Sequence, residues 1–342
     1  LPFQKRLTFS KENRSNYLFN SKIEGLDKCD YLLLIGANPR VDSAILNARI
    51  RKNYIHRDLK ISSISSQKFD LKFNYEYLGS DVKILTSILE EKHKISNDFE
   101  KANFPMIIIG DEVLQNDCSL DVQKVSTSIL KKFGGFKKNW NGSNILHNYA
   151  STVGAIDILS EYSNYNHSAL KNDINKNLIK FVYLLNADDF DFDISSCFVI
   201  YQGHHGDKGA QLADVILPGA AYTEQDGYFT NLEGKLQKAY KASYPPGEAK
   251  EDWQIINELS SFIKRKNLYK DKNQLIDSLI NYLNLNNKNE ADFEVPEYNF
   301  KSEKIITEEI DYYHSNVIAR ASKTMSECKN IRMSLPKTGT DN

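Results

Sequence analysis

The sequence predicts an α/β fold: doubly wound, mostly parallel sheets in two lobes, followed by a helical C-terminal tail. Three observations predict it. Six short apolar runs are near-continuous rather than alternating, the pattern of parallel strands buried on both faces. Amphipathic segments at helical spacing lie between several of them, as βαβ units require. The length, 342 residues, exceeds what one hydrophobic core usually serves.

The apolar runs are residues 31–35, 59–64, 106–109, 181–185, 198–201 and 215–217. Most end in Gly, Asn or Pro, which stop a strand and open a turn. Between them, 41–54 places Val41, Ile45, Ala48 and, loosely, Arg51 and Lys52 at helical spacing, with one face apolar and the other basic. Residues 81–92 align Val82, Leu85 and Leu89 on one face. Segments 120–133 and 145–159 follow the same rule. The first lobe is expected over residues 1–100 and the second over 101–250, with the charged stretch 90–103 as link.

Composition shifts after Pro245-Pro246-Gly247, and 251–342 reads as a helical region. Asp252 is the expected N-cap of a helix carrying Trp253, Ile256, Leu259 and Phe262. A second helix is expected at 274–283, then a loop over 284–300. Ile306, Ile310, Tyr313 and Val317 recur at helical spacing, with His314-Ser315-Asn316 as an interruption that caps a last helix at 317–328. Residues 332–342 read as a frayed end.

The charge balance is 44 basic against 45 acidic residues. That gives no argument for a nucleic-acid partner or an anionic membrane surface. No apolar run approaches the roughly 18 residues of a spanning helix. The four cysteines, Cys29, Cys118, Cys197 and Cys328, are too far apart for a zinc ribbon, a ferredoxin-type cluster or a disulfide framework. They read as reduced thiols of a cytosolic or matrix compartment. The chain opens Leu1-Pro2 with no signal-type apolar region after it, as in a processed mature chain, an offset numbering or a fragment.

Four segments invite a functional reading. Gly36-Ala37-Asn38-Pro39-Arg40 ends a strand and opens a helix, where α/β folds bind ligands. It is not a dinucleotide fingerprint, however, and Pro39 removes one N–H that would hold phosphate. Lys132-Phe-Gly-Gly-Phe-Lys-Lys138 is better read as a solvated helix end with a Gly stop. Asp188, Asp189, Asp191 and Asp193 form an acidic run without the spacing of a calcium loop. His204 and His205, with Asp207 close by, invite an acid–base reading, but a turn packed at the strand end with one His exposed is the stronger reading. Neighbouring residues on an extended chain point apart, so the two rings are not expected to share a metal.

One ordered set of motifs goes further. Tyr201-Gln-Gly-His-His-Gly-Asp207, Ala213-Asp-Val-Ile-Leu-Pro-Gly219, Asn231-Leu-Glu-Gly234 and Pro245-Pro-Gly-Glu-Ala-Lys-Glu-Asp-Trp253 closely resemble the large iron–sulfur subunit family of mitochondrial respiratory complex I. Arg14-Ser-Asn-Tyr-Leu18, Leu33-Leu-Ile-Gly-Ala-Asn-Pro-Arg40, Asn47-Ala-Arg-Ile-Arg-Lys52, Asp58-Leu-Lys60 and Ala319-Arg-Ala-Ser-Lys-Thr-Met325 resemble the same family in the same order. The resemblance implies a molybdopterin oxidoreductase-like fold. It also implies a structural part of the peripheral arm of NADH:ubiquinone oxidoreductase, on the matrix side of the inner mitochondrial membrane.

In that family the iron–sulfur clusters are held by cysteines in an N-terminal half whose motifs this sequence does not contain. The clusters are therefore expected in a partner chain or in a missing N-terminal half. No catalytic, cofactor-binding or metal residue is carried over from the family. The expected partners are the cluster-bearing part of the same subunit and other peripheral-arm subunits. A split subunit is expected, with one longer polypeptide as the alternative. An intact mass near 39 kDa fits the first, and a mass near twice that fits the second. Arg40, Arg49, Arg51 and Arg57 are candidate interface charges, and a solvated basic face is the plain alternative. A bulky charged residue at Pro218 or Gly219 is expected to reduce assembly. The competing readings are a subunit of a molybdopterin-type oxidoreductase and a stand-alone nucleotide-binding module using Gly36 and Gly203.

Overall fold

The computed structural model describes residues 13–114, 116, 118–159, 167–187, 190, 192–286, 304–306 and 311–334. Its larger sheet has five parallel strands. In order across the sheet they are β3 (Glu76–Gly79), β2 (Lys60–Ile64), β1 (Tyr31–Ile35), β4 (Pro105–Ile109) and the short strand Ser143–Ile145. Leu33 pairs with Ser62 on one side and Ile107 on the other.

The apolar run of β1 is explained by what lies on its two faces. Tyr31, Leu33 and Ile35 enter one core with Ile107 and Ile109. Leu32 and Leu34 enter another with Met106 and Ile108. Alternate side chains thus serve opposite cores, which is why the run is apolar on both faces. The edge strands Glu76–Gly79 and Ser143–Ile145 were not expected. The first is only half-buried and the second has three residues, so neither carries an apolar run.

Residue 100 does not divide two sheets, because β4 and Ser143–Ile145 belong with β1. The stretch 90–103, expected as a link, contains the helix Ser96–Lys101. Phe99 from that helix is fully buried, with its ring 4.6 Å from Tyr31 and 5.8 Å from Phe133. One aromatic anchors an otherwise charged segment in the core.

The helix after β1 also differs from expectation. It breaks at Ser43 into α1 (Pro39–Asp42) and α2 (Ala44–Arg57). The buried face is Leu46, Asn47, Ile50 and Asn53, whereas Val41 is 46% and Ile45 81% exposed. Asn53 donates to the carbonyls of Leu26 and Cys29, and Asn47 to that of Leu71. These amides anchor neighbouring loops, which is why polar residues occupy the inner face. Ile145 lies in a strand, and the helix expected from it begins at Thr152.

The second sheet has three parallel strands, ordered Val215–Pro218, Phe198–Gly203, Phe181–Leu185. Leu184, Val199 and Tyr201 pack on Ile174, Phe190, Phe192 and Ile194. The opposite face is open: Phe181 is 54% and Phe198 50% exposed, their rings stacked at 6.2 Å, with Leu185 and Val215 exposed beside them. An antiparallel hairpin, Gly227–Thr230 with Leu236–Ala239, follows.

In the C-terminal region the helix Asp252–Lys264 is capped by Glu251, in a capping box with Gln254, and not by Asp252. The helix Lys272–Asn286 runs past 283, and residues 287–303 lie outside the described set. Ile310 is also outside it. The expected last helix is two, Val317–Ala321 and Lys323–Ser334, broken at Ser322, whose backbone is extended. Residues 332–334 are helical, and 335–342 lie outside the described residues.

Candidate functional site at the carboxyl edges of the sheets

Open α/β sheets bind ligands beyond the carboxyl ends of their strands, where the chain direction switches. In the larger sheet that point lies between β1 and β4. Gly36 turns there with φ +57, and a Cβ on it would meet Val113 Cγ2 at 2.6 Å. A Cβ on Gly110 would collide with the Gly36 carbonyl. The two strand ends therefore close on each other. α1 has only four residues, begins with Pro39, and folds Asp42 back so that its Oδ2 accepts the Asn38 N–H at 2.9 Å.

Burial pushes the Asp42 carboxyl up to about 6, and Asp111 and Glu112 raise it further against the Asn38 hydrogen bond. Tyr312, from the C-terminal region, feels the charges at this turn. Its hydroxyl is pushed up to about 12 by burial and then by Asp42, Tyr149 and Asp111. The chain that follows Ser143–Ile145 places His147 in the interior, with Nε2 donating to the Tyr17 carbonyl at 2.8 Å. Burial lowers this imidazole to about 4, so it is neutral at pH 7. A cavity of about 380 Å³ lies between this loop and the hairpin, bordered by His147, Asn148, Tyr149, Phe229 and Gln237.

At the smaller sheet the same edge is held by Asp252. Its Oδ1 accepts Gln202 Nε2 at 2.8 Å, and its Oδ2 accepts Asn186 at 3.1 Å and Gln225 at 3.0 Å. A Cβ on Gly219 would lie 3.0 Å from that Oδ1. This explains why Gly219 has little room. Sequence reasoning makes Asp252 a cap and gives Tyr312 no role. Neither residue carries a local signal for its true position.

The strand Phe198–Gly203 ends before His204, so the two histidines sit in a bend and not on an extended chain. Their Nδ1 atoms lie 2.6 Å apart, contrary to the expectation that the rings diverge. Asp207 does not orient either ring. It caps Lys208–Gln211 and accepts Arg320 Nε at 2.6 Å. Among the described residues, no group of three His, Cys, Asp or Glu is placed to hold a metal ion.

The remaining candidates are used inside the chain. Lys132 donates to the Leu89 carbonyl and pairs with Glu91, and Lys137 lies over the Phe104 ring. Asp193 accepts the Ser195 N–H, while Asp188, Asp189 and Asp191 are outside the described residues. Arg40 pairs with Asp70, Arg49 grips Asp27 with two nitrogens, Arg51 donates to the Lys72 carbonyl and Arg57 to that of Asp27. Asn231-Leu-Glu-Gly234 is the hairpin turn. Asn231 Oδ1 accepts the N–H groups of Glu233 and Lys235, Gly234 has φ +81, and Glu233 accepts the Ile23 N–H.

The family model described as molybdopterin oxidoreductase matches residues 1–262. The chain belongs to the molybdopterin oxidoreductase family. An NADH-quinone oxidoreductase subunit of Rickettsia bellii is 38% identical over 335 residues, covering 95% of this chain and 47% of that protein. The mitochondrial NADH-ubiquinone oxidoreductase 78 kDa subunit of Candida albicans is 38% identical over 343 residues, covering 92% and 45%. The chain spans about half the length of the curated relatives it matches. Among solved structures, acetylene hydratase from Pelobacter acetylenicus aligns at a TM-score of 0.38 and 15% identity, covering 76% of this chain and 51% of that one. Family membership rests on the sequence matches.

The family name implies a molybdopterin cofactor, whose phosphate needs N–H donors and cations. Here the two carboxyl edges present Asp42, Asp111, Glu112 and Asp252, and the guanidiniums beside them are already paired, Arg40 with Asp70 and Arg320 with Asp207. Asp252 already accepts the three side-chain amides nearest it. Among the described residues, no Lys or Arg lines the adjoining cavity. These residues do not fit a phosphate-bearing pterin. The thiols do not fit an iron–sulfur cluster either. Cys29, Cys118 and Cys197 are separately buried, and Cys29 and Cys197 donate to the carbonyls of Tyr31 and Ile179. Burial pushes the Cys29 thiol well up, away from the thiolate a cluster requires. No helix of the described residues is long and apolar enough to cross a membrane.

Proposed function

We propose that this chain is a non-catalytic structural part of the peripheral arm of NADH:ubiquinone oxidoreductase, on the matrix side of the inner mitochondrial membrane. It packs against the cluster-bearing part of the same subunit and against neighbouring peripheral-arm subunits. The observation that carries the reading is the 38% identity to complex I subunits over more than nine-tenths of this chain. The open face of the smaller sheet supports it. A doubly wound sheet is covered on both faces, and Phe181, Leu185, Phe198 and Val215 await such a cover. The wall so formed keeps water from the partner's clusters, and burial helps set a cluster's potential. The chain itself supplies no catalytic, cofactor-binding or metal residue.

Purification of the tagged chain from detergent-solubilised mitochondrial membranes tests this. The expected product oxidises NADH with quinone and shows NADH-reducible iron–sulfur signals in electron paramagnetic resonance. A chain that purifies without an iron–sulfur partner overturns the proposal. The family match favours one second reading, a subunit of a molybdopterin-type oxidoreductase. Stoichiometric molybdenum or tungsten in the assembly would establish it.

A further inference from the structure

A second cavity lies at the opposite end of the larger sheet, beside the amino end of β2. The edge strand β3 begins at Glu76, opposite Ser62. Lys60 and Ile61 of β2 therefore pair with β1 on one side and with no strand of the described residues on the other. The notch opens into a cavity of about 590 Å³, a size that suits a small molecule. Leu59, Ile61 and Tyr54 give it an apolar wall.

Two buried hydroxyls, Tyr31 and Ser62, line the same cavity. Each residue is 2% exposed, and their oxygens lie 2.9 Å apart. Phe99 packs on the Tyr31 ring at 4.6 Å and holds it in place. The pair carries two protons but shares a single hydrogen bond, and neither hydroxyl has another partner among the described residues. One O–H is thus left to donate into the cavity. A buried donor is costly without an acceptor, and water or a ligand oxygen can supply one. The charged lining groups are mostly of one sign, with Asp58, Glu76 and Asp98 against Lys60. Lys60 reaches Asp98 at 2.7 Å and Lys94 pairs with Glu76, but these lysines are 65% and 73% exposed. Ion pairs so exposed are weak, and another cation can replace the lysine.

We propose that this cavity binds a small aliphatic amino alcohol. Its ammonium replaces a lysine at Glu76 or Asp98, and its oxygen accepts the spare proton of the Tyr31–Ser62 pair. The carbon chain between them lies on the apolar wall. Each half of the ligand answers to one observation. The spare donor requires an oxygen, and the carboxylates require a cation. An anionic ligand is repelled by the three carboxylates, which favours the free amino alcohol over its phosphorylated form in lipid headgroups. The cavity lies away from the carboxyl edges at which this fold class takes ligands, so it is independent of the role proposed above.

Saturation-transfer NMR tests this on the full chain, in the assembly with which it co-purifies. Ethanolamine is the probe, and ethylamine, ethanol and phosphoethanolamine are the comparisons. Ethanolamine is expected to bind saturably, with ethylamine and ethanol each weaker by about tenfold or more. Phosphoethanolamine is expected to be weaker than ethanolamine as well. Tyr31→Phe with Ser62→Ala is expected to bring ethanolamine down to the affinity of ethylamine and to leave ethylamine unchanged. Glu76→Gln with Asp98→Asn is expected to weaken both amines and leave ethanol unchanged. If the variants do not fold, the four compounds on the unaltered chain still decide. Absence of saturable ethanolamine binding overturns the proposal. So does equal affinity for ethylamine, or tighter binding of phosphoethanolamine.

Discussion

The two sheets bury their strands differently. In the five-stranded sheet, β1 and β4 are closed on both faces, with a separate core on each. In the three-stranded sheet one face packs on Ile174, Phe190 and Ile194, while the other leaves Phe181 and Phe198 half exposed. Both are parallel sheets of one chain and both carry apolar runs. The first sheet completes its own core, whereas the second presents an apolar surface whose cover is not found in its own core. Exposed apolar area of that kind marks an interaction surface. This chain thus combines a self-sufficient unit with a dependent one.

A buried ion pair outside both sheets carries the largest expected effect. Arg14 holds the fully buried Asp157 carboxylate at 2.8 and 3.0 Å, and the Tyr17 hydroxyl donates to it at 2.8 Å. Arg14 also donates to the Gly234 carbonyl in the hairpin turn. Removing one partner strands a buried charge, so Arg14→Ala is expected to cost about 3–5 kcal/mol, measured by chemical denaturation. Within the self-sufficient sheet, Leu33→Ala empties a fully buried site and is expected to cost about 2–5 kcal/mol.

The carboxyl edge of the larger sheet makes stability depend on pH in two opposing ways. His147 has its pKa lowered to about 4 from 6.5, so its contribution is present above pH 6.5 and is lost as pH falls toward 4. Asp42 has its pKa raised to about 6 from 3.8, so the stability linked to its protonation is full below 3.8 and is lost as pH rises through 6. Asp42→Asn is expected to stabilise the fold at pH 7.5 by at most about 3 kcal/mol. It should also steepen the loss between pH 6.5 and 4. Thermal melts of both proteins across that range check the sign, and an unchanged difference across the range would count against the assignment.

On the open sheet, Phe198→Ser is expected to cost under about 1 kcal/mol of chain stability, because half of the side chain is already in water. Its expected effect is on assembly, read as loss of co-purifying partner protein. If Phe198→Ser destabilises the chain as much as Leu33→Ala, the two sheets are not different in kind. Smallest of all, His204→Ala with His205→Ala is expected to leave NADH oxidation by the assembled protein nearly intact. A loss of several orders of magnitude with normal assembly would make the pair catalytic.

Legibility in the sequence followed burial. The interior strands are readable to within a residue or two because burial on both faces makes them mostly apolar, although β2 buries Ser62 and Ser63. The edge strands Glu76–Gly79 and Ser143–Ile145 escape such a reading because half-buried pairing leaves no such run. The helix after β1 is placed by its periodicity but its faces are exchanged, since the break at Ser43 resets the rotation and asparagines serve as inner anchors. Asn231-Leu-Glu-Gly234 is legible as a family mark, and the structure shows the turn chemistry that requires those residue types.

By itself the sequence determined the fold class, the interior strands and the family, because these rest on local patterns of apolar residues and on ordered short motifs. Only the tertiary structure decided what fills the carboxyl edges. Asp252 lies 50 residues from Gln202 and Arg320 lies 113 from Asp207. A carboxylate or guanidinium looks the same in sequence whether it faces water or closes a distant strand end. Its role is set by the neighbours folding brings to it, and those neighbours leave no periodicity to read.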